Sequence, residues 1–180
     1  MSGRPFQQVG SRPLAAHHRY ALRADDVVWP DGTEQSFGVL EQPDAAVIVS
    51  LTEDLTTFLV RQWRHSWNEA AWELPAGTRE DGEDPAETAR RELVEEAGLE
   101  AARWDPLGTA RATALSTMRF HFYLARRLTR VARRPEAYEQ DMVLRELPLA
   151  EALELAADGT IEHAASIAAL FRAERFLARR

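Results

Sequence analysis

Three glutamates, Glu92, Glu95 and Glu96, stand at spacings i, i+3 and i+4 in the segment PAETARRELVEEAG. On a helix they share one face, where each like-charged pair costs roughly 0.2–0.5 kcal/mol. They also fall near the C-terminal end, where the helix dipole disfavours anions. A helix built for stability alone would carry lysine or arginine there. Converging carboxylates instead suit a hard divalent cation such as Mg²⁺ or Mn²⁺, which takes oxygen ligands. Acidic faces on helices are also common as plain solvated surface, and the helix alone does not choose between the two readings.

The helix itself is well specified. Asp84 is a capping residue, Pro85 fits the first turn, and Glu87 completes a capping box. Gly98 predicts a left-handed stop after Ala97. Ala86, Ala89, Leu93 and Ala97 form its apolar stripe.

The flanking residues decide the matter. Written out, the segment is Gly77, five residues, Glu83, seven residues, then Arg91-Glu92-Leu93-Val94-Glu95-Glu96-Ala97-Gly98-Leu99. This resembles the Nudix box at every defined position. Seven fixed positions at roughly 6% background usage coincide by chance on the order of 10⁻⁹ to 10⁻⁸ times per starting point. The resemblance implies an α/β fold, an α/β/α sandwich with a mixed sheet, and a metal-dependent pyrophosphohydrolase. It implies Glu92 and Glu96 as principal metal ligands, with Glu95 adding a ligand or a water contact. Glu83 would pair with Arg91 and orient the helix carboxylates.

Upstream stand Val60-Arg61-Gln62-Trp63-Arg64 and Trp72-Glu73-Leu74-Pro75-Ala76-Gly77. These resemble the ADP-ribose pyrophosphatase branch, and the similarity covers most of residues 20–170. It implies a metal contact from the Ala76 carbonyl and a phosphate contact from Arg64. Phe37, and more loosely Tyr20, fall where that branch places aromatics against the base, with hairpin packing as the plain alternative. The branch usually carries a Pro-Gly pair in the loop that here reads Thr113-Ala114-Leu115-Ser116-Thr117-Met118. Ser116 matches as a substrate contact, the Pro-Gly pair is absent, and Met118 replaces a frequent acid. The catalytic base in this branch sits on a downstream loop, which falls on Glu139, with Asp141 the runner-up and Glu136 third.

The elements that would position these residues read as follows. Residues 1–17 resemble a flexible arm, rich in Gly, Pro, Ser and Arg. Tyr20–Trp29 and Gln35–Leu40 form a hairpin, an extension over 18–42 expected to serve a dimer interface and the base pocket. The hydrolase domain then spans 43–180. Ala45–Leu51 and Thr57–Gln62 predict a second hairpin, and Ala71–Leu74 a short strand. Gly77–Glu83 reads as a polar stretch. Further strands are expected at Arg119–Ala125 and Met142–Leu147, and helices at Leu149–Ala157 and Glu162–Leu177. On the last helix Ile167, Leu170, Phe171 and Leu177 should face the core. The arginine run Arg126–Arg134 reads as a solvated loop.

Composition bounds the function. The 180 residues carry 29 acids against 22 bases, a formal net charge of −7, and no cysteine. That excludes disulfides, thiolate catalysis and Cys-ligated zinc. It also argues against a protein that grips nucleic acid. No apolar run approaches a membrane span or a secretory signal, so a cytoplasmic address is expected. The reading is hydrolysis of a nucleoside diphosphate linked to another moiety, ADP-ribose or a related nucleotide sugar first, by a Mg²⁺- or Mn²⁺-dependent homodimer. Dinucleoside polyphosphates or dinucleotide cofactors are the alternative substrates, and a non-catalytic nucleotide-sugar sensor is a more distant rival. A diphosphate isomerase would, by resemblance, need a catalytic cysteine.

Overall fold

A computed structural model describes residues 3–134 and 141–179. The chain divides into two compact units, one of residues 1–44 with 111–119, the other of 45–110 with 120–180.

The first unit is a three-stranded antiparallel sheet in the order β1-β2-β3, with β1 Gln7–His17, β2 Tyr20–Val28 and β3 Glu34–Glu41. The expected hairpin is β2 and β3. The expected arm is corrected: its residues 7–17 are an edge strand paired to β2, from Gln7↔Val28 to His17↔Tyr20. Pro13 cannot donate to a ladder and is tolerated on an edge, next to a register shift between Pro13 and Ala15. Exposed on both sides for most of its length, β1 lacks the alternation that marks a strand.

The second unit holds β4 Ala45–Leu51, β5 Thr56–Arg64, β6 Glu69–Glu73, β7 Ala76–Thr78, α1 Pro85–Ala97, β8 Leu99–Arg111, β9 Arg119–Arg130, β10 Val143–Pro148, α2 Leu149–Ala157 and α3 Ala164–Leu177. Arg111 and Arg119, at the inner ends of β8 and β9, fall in the first unit. The sheet order is β10-β5-β4-β9-β8, with β6 beside β5 and β7 beside β4. Pairing of β4 with β9 is parallel, while β10–β5, β5–β6 and β4–β7 are antiparallel, so the sheet is mixed as expected.

All seven residues of β4 are buried, which fits an uninterrupted apolar strand covered on both faces. Val47, Val49 and Leu51 pack with Ala152, Ile161, Ala169 and Leu170 of the α2–α3 region. Ala46 and Ile48 pack with Ala89, Leu93 and Ala97 of α1. The alternation along one strand therefore sends successive side chains into two helical layers, which makes the α/β/α sandwich.

Several expectations need correction. Phe171 is 40% exposed rather than core-facing, because α3 buries Leu170, as expected, together with a small-residue stripe of Ala165, Ser166, Ala169 and Ala173. Ile167 and Leu177 are half-buried beside it. The run beginning at Arg126 is not a loop: Arg126–Arg130 continue β9, and only 131–134 lack regular structure. The polar stretch after Pro75 starts with the short strand β7. Strand β8, unanticipated, lies at the end of the sheet order, where a proline such as Pro106 is tolerated. No helix among the described residues is long and apolar enough to cross a membrane.

Candidate active site

Helix α1 starts as its sequence dictates. The Asp84 carboxylate accepts from Ala86 N at 2.8 Å, and Glu87 Oε2 accepts from Asp84 N at 2.9 Å. Gly98 closes the helix at φ 64°. A Cβ there would also press within 2.9 Å of the Val131 carbonyl oxygen.

Opposite the last two turns lies β7, fixed to the central strand through Ala46↔Gly77 and Val47↔Ala76, with Pro75 O accepting from Ile48 N at 2.9 Å. Two carboxylates of α1 meet this strand. Glu96, 1% exposed, accepts from Ala76 N at 2.8 Å. Glu92, 6% exposed, lies so close to Gly77 that a Cβ built there would stand 1.8 Å from Oε1. Glycine at 77 is a demand of packing against the Glu92 carboxylate, beyond any need of the turn.

Arg91 organises the cluster. Its Nε and Nη2 donate to the two Glu83 oxygens at 3.0 and 3.1 Å. Its Nη1 donates to Glu92 Oε1 at 2.7 Å and Glu95 Oε2 at 2.9 Å, and Nη2 also reaches the Thr78 carbonyl at 3.2 Å. Glu83 accepts further from Glu80 N at 3.0 Å and Thr88 Oγ1 at 2.8 Å. The Arg91 guanidinium, helped by those two donors, holds the Glu83 carboxyl down to about 2. Glu83 in turn raises Arg91 above its already high range. The mutual repulsion expected among the helix glutamates is thus offset by one arginine bridging two of them.

The donor set suits a hard cation: buried carboxylate oxygens beside a strand whose glycine leaves room for them. As they stand, no three acidic or histidine side chains among the described residues gather closely enough to chelate an ion. Arg91 engages Glu92 and Glu95, and Glu96 is turned to backbone.

Arg64, expected at substrate phosphate, is held bidentately by Glu73, with Nε and Nη2 each 2.6 Å from a carboxylate oxygen. Glu73 is fully buried, and His163 Nδ1 lies 3.1 Å from its Oε2. The same Nδ1 is 2.9 Å from Ser166 Oγ, which accepts from Leu74 N at 2.8 Å. Burial pushes the His163 imidazole below its ordinary range; Glu73 opposes that and Arg64 adds to it. Glu73 as partner of Arg64, and His163 and Ser166 beyond it, were not anticipated. The only sequence signal for them is the acid of Trp72-Glu73-Leu74-Pro75, since His163 lies far along the chain.

The remaining candidates fall in separate places. Phe37 on β3 stacks on Phe6 at 5.6 Å between centroids, and Phe6 meets Trp29 edge-on at 5.2 Å. Tyr20 is exposed at the start of β2. Ser116 donates to Gln42 Oε1 at 2.7 Å and accepts from Met118 N at 3.0 Å, which closes its own loop. Glu136 and Glu139 lie outside the described residues, and Asp141 is exposed directly before buried Met142.

Comparisons with known proteins give the family and the fold. The model of the NUDIX domain matches residues 41–170. An ADP-ribose pyrophosphatase of Mycobacterium tuberculosis is 37% identical over 172 residues, covering 93% of this chain and 83% of that protein. A methanol dehydrogenase activator of Bacillus methanolicus is 33% identical over 135 residues, covering 74% of this chain and 73% of its own. A crystal structure of an ADP compounds hydrolase shares the fold at TM-score 0.87 and 20% identity, over 99% of this chain and 97% of that one.

Proposed function

Because the chain belongs to the NUDIX family, we propose that it is a pyrophosphohydrolase acting on a nucleoside diphosphate linked to a second moiety, with ADP-ribose or a related nucleotide sugar preferred. The observation that carries the reading is the Glu92–Glu96 carboxylate pair packed on the Ala76-Gly77 backbone and organised by Arg91. The relative named as an ADP-ribose pyrophosphatase supports the substrate class.

A Mg²⁺ or Mn²⁺ ion, held by Glu92, Glu96 and the Ala76 carbonyl with Glu95 beside them, would supply Lewis acidity and offset charge on the pyrophosphate. The chain's own residues do the positioning. Glu83 fixes Arg91, and Arg91 fixes the directions of Glu92 and Glu95. Arg64, locked in orientation by Glu73, presents a guanidinium suited to phosphate oxygens. Water attacks one phosphorus, the bridging P–O bond breaks, and Glu139 takes the proton. The products are a nucleoside monophosphate and a sugar phosphate. Phe37 and Tyr20 contact the base and Ser116 the substrate, in a cytoplasmic homodimer whose interface includes residues 18–42.

The deciding experiment is a panel of nucleotide sugars, dinucleoside polyphosphates and dinucleotide cofactors with Mg²⁺ or Mn²⁺, products identified by mass. ADP-ribose should give AMP and ribose phosphate with the highest kcat/KM. A preference for dinucleoside polyphosphates or dinucleotide cofactors would replace the substrate class. No turnover of any member would leave the sensor reading.

A further inference from the structure

We propose that a basic, solvent-open cavity of about 260 Å³, lined by the β4–β5 hairpin, β8, β9 and the end of α3, binds a small organic phosphate. It is separate from the carboxylate cluster. The cluster meets β4 at Ala46 and Val47, whereas the cavity is lined by Leu51 at the other end of that strand. Four to five residues of strand put the two roughly 13–17 Å apart.

The backbone at Arg127 is the first indication. Arg126 and Arg127 are consecutive in β9, and successive side chains of a regular strand point to opposite faces. Here both line the same cavity. The reason is a left-handed residue, Arg127 at φ 55°, just where the parallel pairing with β4 ends at Leu51↔Arg126. Such local irregularities re-aim side chains. Leu55, another wall residue, is also left-handed at φ 62°, in a hairpin position where glycine or asparagine would be unstrained. Among the described residues four non-glycine positions have positive φ, and two of them line this one cavity. Strained backbone concentrated at a concave site is a mark of binding function.

Charge and shape define the ligand. In a chain of net charge −7, three arginines, Arg103, Arg126 and Arg127, line one small space. Asp105 fixes two of them: Arg126 Nε donates to its Oδ2 at 3.1 Å, and Arg103 Nε lies 3.4 Å from the same oxygen. Arg126 is further seated 5.8 Å over the Phe176 ring. Arg127 has no ion-pair or hydrogen-bond partner among the described residues and is exposed. Against Asp105 and the rim acid Glu53, the three arginines leave an excess of positive charge. Guanidinium forks match the several oxygens of a phosphate. Leu51, Leu55 and Leu177 add an apolar wall, so the ligand carries a compact organic group as well. The cavity is too small to track a polymer.

The test is calorimetric titration of phenyl phosphate, and separately inorganic phosphate, into metal-free protein in EDTA. Saturable single-site binding is expected, tighter for phenyl phosphate. Arg127→Gly keeps the left-handed backbone and removes the guanidinium, so it should melt at the same or a higher temperature and hydrolyse nucleotide sugar normally. It should weaken phenyl phosphate by roughly tenfold or more, and Arg103→Gln should do likewise. No saturable binding up to about 10 mM would overturn the proposal. So would binding that survives both variants but disappears in Arg64→Gln, which would place it at the catalytic cluster. A single-stranded oligonucleotide that binds through these arginines, without competition from phenyl phosphate, would also replace it.

Discussion

The Gly77 backbone and the Glu92 carboxylate touch so closely that a single methyl group at 77 would stand 1.8 Å from Glu92 Oε1. Gly77 pairs with Ala46 in the buried central strand, so β7 has no freedom to retreat. Any side chain there must therefore displace Glu92 and disturb its bond to Arg91. Gly77→Ala should lower kcat by about 10²-fold or more, since misplacement by an ångström carries penalties of that size. Stability should fall by roughly 1–3 kcal/mol, the usual overpacking cost. Near-normal turnover in Gly77→Ala would remove Glu92 from the site.

The second expectation concerns acid. Glu83, with its carboxyl held to about 2 against an ordinary 4.5, binds its proton more weakly in the folded chain than in the unfolded one. Its contribution is therefore complete above about 4.5 and is lost as pH falls toward 2. Its side chain is only 15% exposed, so solvent screening removes just part of the effect. Glu83→Gln should cost on the order of 1–3 kcal/mol in urea unfolding at pH 7, and the gap to the parent should shrink at pH 3. An equal gap at both pH values would mean that the Arg91 contact adds nothing to stability.

What the sequence made legible follows from distance along the chain. The box helix, its cap and its glutamates were readable because every residue that defines them lies within 77–99. Asp84, Glu87 and Gly98 act on their own helix, and the structure finds each in its expected role. The mixed sandwich was readable because β4 is an unbroken apolar run. Strands β1 and β8 were not, since both are edge strands that contain proline and alternate little. The Arg64–Glu73–His163 arrangement was equally hidden: its members come from β5, β6 and the start of α3, and no local pattern joins them. Phe171 was misassigned because α3 packs through alanines, which leaves its larger side chain outside.

Phe37 separates two readings by kinetics. Its ring stacks on Phe6 and belongs to a cluster with Trp29, so packing alone gives it a use. Aromatic pairs are worth about 0.5–1.5 kcal/mol beyond their buried area, and Phe37→Ala should lower stability by at least that. If Phe37 also contacts the base, KM should rise several-fold more than kcat falls. A stability loss with KM unchanged would confine Phe37 to packing. Light scattering on the same variant would show whether the proposed dimer depends on this sheet.

The last expectation is the proton acceptor for the attacking water. On α1 the glutamates are already committed: Glu92 and Glu95 to Arg91, Glu96 to the Ala76 backbone. A base drawn from that set would have to give up a charged hydrogen bond first. The family resemblance instead singles out Glu139, away from that helix in the sequence. In the sequence it stands among polar residues ahead of Met142. General-base help is typically worth about 10²–10⁴-fold, so Glu139→Gln should lose turnover in that range. Cation affinity, read by Mn²⁺ titration, should barely change. The pH profile should also lose its acid limb, a signature that a merely structural residue would not produce. If Glu139→Gln is nearly normal and Asp141→Asn is crippled, the base moves two residues to the exposed aspartate ahead of Met142. If both variants keep full activity, Glu95 becomes the candidate. Arg91→Lys, which loosens the 2.9 Å contact to Glu95 Oε2, should then shift the acid limb of the profile.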